Sequence, residues 1–402
     1  MTTATGPLAG VRVLDMTSVV MGPLATQMLG DLGADVIVIE RRRGDTNRAM
    51  GPGPAEGMSG TSLNLMRNKR SITVDLKAPE GRDIVLQLAA TCDVVVTNLR
   101  PGPLQRLGLA YDDVIAVRPD VVFCQAHGWP SDSPDADRPA YDDIIQSASG
   151  VGDLFGKQGH APNLIPTIVA DKVAGHTIVA AVTAALFHRS NTGTGQHIEI
   201  PMIDTMRAFV LVEHGAGAIA EPPQSDAGYH RVLSPNRRPQ QTSDGWVNVL
   251  PYSPLHYNAL FAAGGRDDLV DDERFATRDA MIANANSLYG DIAAMLVEKP
   301  TEWWLDFCEE NAVPATAMVG VAEMVNELPL TDHPEVGRYR QIPPSMRFSA
   351  TPASIHRHAS FPGGDTNDVL TELGIGRPEL DRLEAARVIT QNRRADSASL
   401  QD

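Results

Sequence analysis

Cysteine and aromatic residues are scarce in this 402-residue chain, which has three cysteines and 5% Phe, Trp and Tyr. Cys92, Cys124 and Cys308 are odd in number, far apart and without CxxC or Cys/His spacing, so the sequence indicates neither a disulfide framework nor a zinc site. Cations are also in the minority, because 34 Lys and Arg face 50 Asp and Glu, a formal net charge of −16. This acidic balance argues against general nucleic-acid binding.

Long apolar runs are missing as well. Gly, Pro or charged residues interrupt the apolar stretches before the roughly 18 to 20 residues that span a bilayer, and the N-terminus lacks a basic segment followed by an apolar one. We therefore expect a cytoplasmic protein without membrane contact. The length exceeds that of a comfortable single core, so we also expect more than one domain.

What is present is a regular alternation of strand and helix patterns. The Val- and Ile-rich runs at 11–14 and 36–40 flank an apolar-periodic stretch that opens at Gly22-Pro23 and closes at Gly33, which is a βαβ pattern. Strand-like runs at 93–96 and 121–124 continue the alternation with helical patterns between them. The sequence therefore predicts an α/β fold with a doubly wound, mostly parallel sheet, whose ligands bind beyond the carboxyl ends of the strands.

The composition changes past residue 222, where Pro222-Pro223 and Pro235 to Pro239 form a linker-like passage. We predict a large domain over 1–221, a smaller α+β domain over 222–330 and a C-terminal segment over 331–402.

Three familiar kinds of site lack their sequence signal. Glu40 stands where a ribose-binding acid would stand, but the preceding loop has one glycine, Gly22, where the dinucleotide fingerprint needs three, so nicotinamide use is not expected. His356 and His358 have no further ligand at metal spacing, and no metal is expected. No Gly-x-Ser-x-Gly elbow occurs, which argues against a serine hydrolase.

Carboxylate and arginine chemistry remains. Cations cluster at predicted loop ends in the first hundred or so positions, at Arg41 to Arg43, Lys69-Arg70, Lys77, Arg100 and Arg106, where they are either phosphate ligands or solvated charges. Asp171 precedes the most apolar helical stretch, where it is either a helix cap or a carboxylate placed to act as nucleophile or base. Spacing alone does not separate these alternatives.

Several motifs together carry a family resemblance across nearly the whole chain. They are Leu8 to Asp15, Gly22-Pro23, Gly33 to Ile37 with Glu40-Arg41, Asn68 to Ser71, Asp75 to Lys77, Asp93 to Gly102, Pro139 to Asp142, Ala170-Asp171, Gly193 to Gln196 and Met202 to Asp204. On these residues the chain resembles the class III CoA-transferases. The resemblance implies a Rossmann-like large domain, a small domain, a C-terminal segment that returns to the large domain, and an interlocked homodimer.

The resemblance also implies an activity, the movement of CoA from an acyl-CoA thioester to a carboxylic acid. Asp171 aligns with the family's nucleophile, which forms an aspartyl anhydride and then an aspartyl-CoA thioester. Coenzyme A, as substrate, is expected at the positions that match the family's contacts: Val19, Val20, Met21, Arg41, Val74, Asp75, Leu76, Lys77, Asn98, Leu99, Arg100, Arg106, Tyr141 and Asp142.

The sequence departs from the family pattern at several positions. His127 replaces an aromatic residue, Gly364-Asp365 replaces a pair that usually ends in histidine, and no tetraglycine loop occurs. Val20 stands where formyl-CoA transferase has glutamine, so oxalate or formate specificity does not carry over.

Two other functions stay open. The first is α-methylacyl-CoA racemisation, which uses a histidine at the position of Tyr141, although His127 lies nearby in sequence. The second is a non-catalytic CoA-binding protein with Asp171 as a helix cap.

Arg237, Arg238 and Tyr252 are candidate contacts for the acceptor carboxylate, but a solvated linker explains the two arginines equally well.

Overall fold

The computed structural model describes residues 5–390, which form two compact units. The first unit contains the described residues of Met1–Ser149, Ile165–Ala208 and Leu328–Asp402, and the second contains Gly150–Leu164 and Phe209–Glu327. The second unit thus includes residues 150–164 and 209–221, which the sequence analysis assigned to the large domain. The predicted domain ranges stay a prediction.

Strands and helices alternate through the first unit, as the sequence predicted. The elements of both units are numbered together here, in chain order. The strands are β1 (Arg12–Met16), β2 (Asp35–Glu40), β3 (Lys69–Thr73), β4 (Val94–Thr97), β5 (Val122–His127), β6 (Gln196–Pro201), β7 (Gln240–Gln241), β8 (Trp246–Val249), β9 (Ala315–Ala317), β10 (Leu330–His333) and β11 (Gly337–Arg340). The helices are α1 (Met21–Asp31), α2 (Gly60–Leu65), α3 (Pro79–Ala90), α4 (Pro101–Leu107), α5 (Tyr111–Ile115), α6 (Asp142–Ala148), α7 (Val151–Lys157), α8 (Val169–Thr192), α9 (Met202–His214), α10 (His230–Leu233), α11 (Pro254–Ala263), α12 (Arg278–Ala283), α13 (Ala285–Leu296), α14 (Thr301–Glu310), α15 (Val321–Glu327), α16 (Thr366–Glu372) and α17 (Arg377–Ala385).

The first unit is built on a six-stranded sheet of order β3-β2-β1-β4-β5-β6 with every neighbouring pair parallel. Leu14 of β1 lies opposite Ile37 of β2 on one side and Val95 of β4 on the other. The strand order reverses between β1 and β4, which is the switch point where doubly wound sheets bind ligands. The predicted α/β architecture with a parallel sheet is therefore confirmed.

Helices cover both faces of this sheet. On one face, Leu14, Ile37, Val95 and Phe123 form an apolar core with side chains of α3, α4, α5, α16 and α17. Helix α8 contributes no residue to that core and packs with α1 and against β5 and β6. Because successive side chains of a strand point to opposite faces, each strand contributes alternate residues to this core and the others to the face that α8 covers.

Among the described residues, one helix, α8, is long and apolar enough to cross a membrane by length and composition alone. This apolar stretch is longer than the sequence analysis expected. Its residues Ala174, Ile178 and Val182 are buried within the first unit, and a helix that packs on a parallel sheet has the same composition.

The second unit is smaller and has its own core. Strands β7, β8 and β9 form an antiparallel sheet, and Val247, Tyr257, Phe261 and Trp304 are among the buried residues that pack with it. This agrees with the α+β character predicted for the region.

A buried ion pair fixes the start of α1. The Lys69 ammonium is fully buried, 3.0 Å from Asp15 Oδ2, and donates hydrogen bonds to Pro23 O (2.9 Å) and Thr26 Oγ1 (2.7 Å). Burial lowers the pKa of the Lys69 ammonium, although the Asp15 carboxylate opposes that shift. The loop between β1 and α1 is therefore anchored from β3, two strands away.

The C-terminal part of the described chain closes onto β3. The Asp75 N–H donates to Val388 O (2.8 Å), and the Thr390 N–H donates to Thr73 Oγ1 (3.0 Å). Val74 and Ile389 form an antiparallel bridge between these segments. Residues 387–390 thus lie at the carboxyl end of the sheet, beside residues predicted to bind CoA.

Candidate functional site

Asp171 is the third residue of α8, and its side chain is almost fully buried, with 8% of the residue exposed. Ile168 precedes the helix and supplies no side-chain cap. Among the described residues, Asp171 has no ion-pair partner. Nearly every other buried acidic group of the first unit is paired, as in Glu40 with Arg48 and Asp31 with Arg67. Asp171 is therefore a buried carboxylate without the usual compensation.

Asp142, the first residue of α6, caps α8 from outside. Its Oδ1 accepts hydrogen bonds from the backbone N–H groups of Ala170 (2.7 Å) and Asp171 (3.2 Å), and its Oδ2 accepts one from Gln146 Nε2 (2.6 Å). Gln146 Oε1 in turn accepts from the Ile165 N–H (2.9 Å). The cap that the sequence analysis considered for Asp171 itself is thus supplied by Asp142, which leaves the Asp171 carboxylate available.

The start of α1 lies against the first turns of α8. A side chain at Gly175 would place its Cβ 2.9 Å from Met21 O, so the absence of a side chain there permits this approach. The Met21 backbone N–H is near enough to the Asp171 carboxylate to lower its pKa. The predicted contacts Val19, Val20 and Met21 therefore lie beside the predicted nucleophile.

The pKa of the Asp171 carboxyl is raised from 3.8 to about 6. Removal from water is the largest cause, the nearby Asp142 carboxylate adds to it, and the Met21 N–H opposes it. A carboxylate with this pKa is ionised above pH 7 yet poorly solvated. Strongly shifted carboxyl groups of this kind are common at catalytic sites.

The loop before α1 is held in an unusual conformation. Val19 has φ of 72°, in the left-handed region that β-branched residues rarely adopt, and its N–H donates to Asp45 Oδ1 (3.1 Å). Asn98, after β4, accepts from the Ser18 N–H (3.0 Å) and donates to Ser18 O (2.8 Å). Such strain persists where surrounding contacts fix it, and it clusters at functional sites.

A cleft of about 740 Å³ opens at the carboxyl ends of β1, β2 and β3. It brings together six of the predicted CoA contacts, Arg41, Val74, Asp75, Leu76, Lys77 and Leu99. A neighbouring cleft of about 700 Å³ is lined by Lys77 and by Arg106, another predicted contact. The clefts therefore collect cations that are far apart in sequence.

Arg42 and Arg387 also line the larger cleft, although neither was among the predicted CoA contacts. Lys69 and Arg70 of the predicted cationic cluster are instead paired with Asp15 and Asp35 and line neither cleft. Arg42 stands in the Arg41 to Arg43 cluster that the sequence analysis noted, whereas nothing near Arg387 in sequence points to the cleft. Within residues 5–390, none of Arg41, Arg42, Lys77 and Arg387 has a carboxylate within ion-pair distance. These four cations outnumber Asp45 and Asp75, the lining acids that are in no ion pair among the described residues, so the cleft carries a net positive charge that suits an anion.

Arg100 and Tyr141, two further predicted CoA contacts, line neither of the two clefts. The Arg100 guanidinium donates to the carbonyl oxygen of Asp137, in the loop after β5, and does not line either cleft. Tyr141 precedes α6 and is 68% exposed. These roles stay predictions.

His127 and Asp171 belong to opposite faces of the sheet. His127 ends β5 on the same face as Phe123, which packs with α3 and α5, whereas α8 covers the other face. Its buried ring lies 3.2 Å from Glu199 Oε1, and burial lowers the pKa of the imidazole although Glu199 opposes this. This placement does not favour a His127 and Asp171 base pair for racemisation.

The candidate acceptor contacts separate within the second unit. Arg237 and Arg238 line a cavity of about 150 Å³ together with Tyr289, whereas Tyr252 lines a different one. Within residues 5–390 no group of three or more His, Cys, Asp or Glu side chains is placed to hold a metal ion.

The first unit thus combines a doubly wound α/β sheet, a buried carboxylate at the start of α8 and a cation-lined cleft at the carboxyl end of the sheet. The chain belongs to the CoA-transferase family III, whose profile matches residues 8–366. It is an acyl-CoA:carboxylate CoA-transferase, and CoA thioesters are its substrates.

Known relatives agree in sequence and in structure. The succinate–glutarate CoA-transferase of Agrobacterium fabrum is 34% identical over 326 residues, which cover 79% of this chain and 81% of that protein. The succinyl-CoA:glutarate CoA-transferase of Mus musculus is 30% identical over 397 residues, with 96% and 91% covered. The crystal structure of a CAIB/BAIF family protein from Brucella suis has a TM-score of 0.79 and 30% identity, with 92% of this chain and 100% of that chain covered.

Proposed function

We propose that this enzyme transfers CoA through two covalent states of Asp171, with a small carboxylic acid as acceptor. The observation that carries the proposal is the Asp171 carboxylate, which is buried, unpaired by any described cation and released from capping by Asp142. Succinate and glutarate, which the names of the two relatives include, are the first acids to test.

In the first half of the reaction, an Asp171 carboxylate oxygen attacks the carbonyl carbon of the donor thioester. The carbon–sulfur bond breaks, CoA leaves as the thiolate, and a mixed anhydride remains. The thiolate then attacks the aspartyl carbonyl carbon, the donor acid leaves as its carboxylate, and Asp171 becomes a thioester of CoA. No water is consumed and no net proton is transferred.

In the second half, the acceptor carboxylate attacks the aspartyl thioester and expels the CoA thiolate. The thiolate attacks the acyl carbon of the new anhydride, which forms the product thioester and restores the Asp171 carboxylate. We assign the Met21 N–H, whose proximity lowers the pKa of Asp171, as a donor to the oxyanion that forms on the aspartyl group. CoA must stay bound between the two attacks, which is the task of the cationic cleft. An interlocked homodimer, implied by the family resemblance, is part of the proposal, and light scattering tests whether the protein in solution has the mass of a dimer.

The covalent states can be trapped. We expect wild-type protein incubated with succinyl-CoA, then treated with hydroxylamine or borohydride, to show a mass change that peptide mapping confines to Asp171. A panel of other acyl-CoA donors defines which acids react. No modification at Asp171 with any donor that is turned over would disprove the covalent mechanism.

The proposed nucleophile predicts a pH dependence. Asp171 must be ionised to attack, so kcat/KM for the donor should rise as the pH increases through about 6 and level off above about 7. Asp142→Asn should shift this rise to lower pH, because the Asp142 carboxylate raises the pKa of Asp171 while an asparagine oxygen can still accept from the α8 backbone. Asp143→Asn, an exposed neighbour, is the control and should leave the profile in place. A profile that is flat from pH 5 to 8 would contradict the assignment.

Arg387 predicts an effect on CoA affinity. Its backbone φ is 62°, which glycine adopts without strain, so Arg387→Gly removes the guanidinium without a backbone penalty. Losing one charge-assisted hydrogen bond to phosphate should raise KM for the acyl-CoA about 10-fold. Dephospho-CoA lacks the 3′-phosphate. If Arg387→Gly raises KM for the CoA thioester but not for the dephospho-CoA thioester, the lost contact is to the 3′-phosphate. The control is Arg382→Ala, because the Arg382 side chain is paired with Glu379. An unchanged KM for both thioesters after Arg387→Gly would exclude a contact between Arg387 and CoA.

A further inference from the structure

The loop between β1 and α1, residues 17–20, is held by side chains that follow two other strands. Asn98, after β4, bonds both backbone groups of Ser18, since its Oδ1 accepts from the N–H (3.0 Å) and its Nδ2 donates to the carbonyl oxygen (2.8 Å). Asp45, after β2, accepts from the Val19 N–H (3.1 Å), and Asn47 Nδ2 donates to Val19 O (3.3 Å). Two successive loop residues therefore have both backbone polar groups bonded to side chains from distant parts of the sequence.

Asp45 is an acid in the lining of the cation-lined cleft of about 740 Å³. A carboxylate there repels the phosphates that the cations attract. Within residues 5–390 it forms no ion pair, and its Oδ1 accepts instead from the backbone N–H groups of Val19 and Asn47 (2.9 Å). The hold of Asp45 on the loop therefore explains the position of this carboxylate better than substrate binding does.

A buried ion pair keeps Asp45 in place. Glu40 Oε1 accepts from the Asp45 N–H (2.8 Å) and from Arg48 Nε (2.6 Å), and Glu40 Oε2 accepts from Arg48 Nη2 (2.6 Å). The Glu40 side chain is fully buried, and that of Arg48 is 2% exposed. A two-point pair between an arginine and a carboxylate has a fixed geometry, so the segment that carries Asp45 is rigid. Both Glu40 oxygens are thus bonded within the chain, although the sequence places this residue where a ribose-binding acid would stand.

The clamped loop leads directly to Asp171. Val19 has φ of 72°, a conformation that costs energy for a β-branched residue and needs support from its surroundings. Met21 follows two residues later, and its carbonyl oxygen lies against Gly175, one turn after Asp171 in α8. Without the clamp, Val19 is free to leave the left-handed region, and the start of α1 shifts relative to Asp171.

We propose that Asp45 and Asn98 are positioning residues for the transfer reaction, which fix residues 18 and 19 so that Met21 keeps its place beside Asp171. The inference rests on the proposed function, because it needs Asp171 as the nucleophile. It gives the Asn98 side-chain amide a role of its own beside the CoA contact that the family resemblance predicts. In this assignment neither residue touches the reacting atoms.

The test measures how fast succinyl-CoA acylates Asp171 in a single turnover of purified full-length protein, with hydroxylamine trapping. Asp45→Ala and Asn98→Ala should each slow acylation about 30-fold, because a displaced backbone N–H stabilises the oxyanion less. Calorimetry should show that CoA binds to both variants within about 3-fold of wild type, since neither loses a cation. Asp45→Asn should react at nearly the wild-type rate, because its amide oxygen can still accept from the Val19 N–H.

Asp272→Ala is the matched control. Asp45 caps the 3₁₀ turn Thr46–Ala49 with its side chain, and Asp272 caps the 3₁₀ turn Glu273–Phe275 of the second unit in the same way, through the Arg274 N–H (2.8 Å). The control therefore loses a cap of the same kind while the clamp stays intact, and its acylation rate should equal that of wild type.

The pH profile separates positioning from a loss of stability. The nearby Met21 N–H lowers the pKa of Asp171, and Asp142 of α6, the charged group that faces it, raises that pKa. Moving the N–H away should therefore shift the rise of the acylation rate from about pH 6 towards about pH 7, whereas a variant that is only less stable keeps the rise of wild type. An unshifted rise in both alanine variants would overturn the proposal, and so would Asp45→Asn as slow as Asp45→Ala.

One further variant covers poor folding. Asp45→Ser keeps a residue that caps Thr46–Ala49 well, but its oxygen stands one bond closer to its own backbone and farther from Val19. It should be as slow as Asp45→Ala, and a wild-type rate would overturn the proposal. Trapping also tests the proposed function separately. No Asp171 adduct in wild type would reject the nucleophile, whereas an adduct that forms equally fast in wild type and in the folded clamp variants would overturn the clamp alone.

Discussion

Replacing Asp171 with asparagine should abolish CoA transfer, with a loss in kcat of about 10³-fold or more, because asparagine cannot form the anhydride. The side chain keeps its size and an oxygen that can accept from the Met21 N–H, and Asp142 still caps α8. The measurement is steady-state transfer together with the mass of the trapped protein. Asp153→Asn, an exposed acid of α7, serves as the control and should be fully active. A residual rate above about a tenth of wild type, measured on protein free of deamidation, would remove Asp171 from the mechanism.

The same substitution should stabilise the folded protein at alkaline pH. The pKa of Asp171 is about 6 in the folded state against 3.8 for an ordinary aspartate, so ionisation disfavours folding. That cost is absent below pH 3.8, grows between pH 4 and 6 and is complete above pH 6, at up to about 3 kcal/mol. Asp171→Asn should therefore melt higher than wild type at pH 8, and by roughly half that margin at pH 5. An equal difference at the two pH values would show that the carboxylate is not destabilised by burial.

Replacing Lys69 with methionine should destabilise the first unit by about 3–5 kcal/mol, because it leaves the Asp15 carboxylate buried without its cation. The substitution also removes the hydrogen bonds to Pro23 O and Thr26 Oγ1 that hold the start of α1. Denaturant unfolding followed by far-UV circular dichroism measures the loss. Lys172→Met, at an exposed lysine of α8, is the control and should be nearly neutral.

A double variant identifies the cause. Adding Asp15→Asn to Lys69→Met removes the second buried charge, and the asparagine can still accept the hydrogen bond that the Thr17 N–H makes to Asp15 (2.9 Å). We expect the double variant to recover a substantial part of the lost stability, with a coupling of 0.5–3 kcal/mol, roughly the range for residues in contact. Additive losses would mean that Lys69 contributes through packing alone.

The sequence predicted the parallel sheet and the position of Asp171 at a helix start because both signals are local. The Val- and Ile-rich runs, Gly22-Pro23 and Gly33 lie within thirty or so residues of one another, and strand periodicity there translates directly into β1, α1 and β2. Asp171 could be placed at a helix start by the same local reasoning. Its role came from the resemblance, since spacing does not distinguish a cap from a nucleophile.

Contacts between segments that are far apart in the chain could not be predicted from the sequence. That Asp142 caps α8 depends on residues 28 and 29 positions apart, and Arg387 reaches its cleft because residues 388–390 pair with β3. Arg231 and Tyr252 are joined by a stacking geometry that no spacing rule specifies. Each of these features follows from tertiary packing, which a single sequence without aligned relatives does not encode in a readable pattern.

The pairing of residues 388–390 with β3 has a consequence for synthesis of the protein. A ribosome makes β3 more than 300 residues before it makes the segment that completes the cleft beside that strand. A nascent chain therefore has most of its sheet, and Asp171, long before it has Arg387. On the proposed role of Arg387, a nascent chain gains its full affinity for acyl-CoA only after this segment has been made, and a truncated chain that still folds its sheet should bind acyl-CoA more weakly.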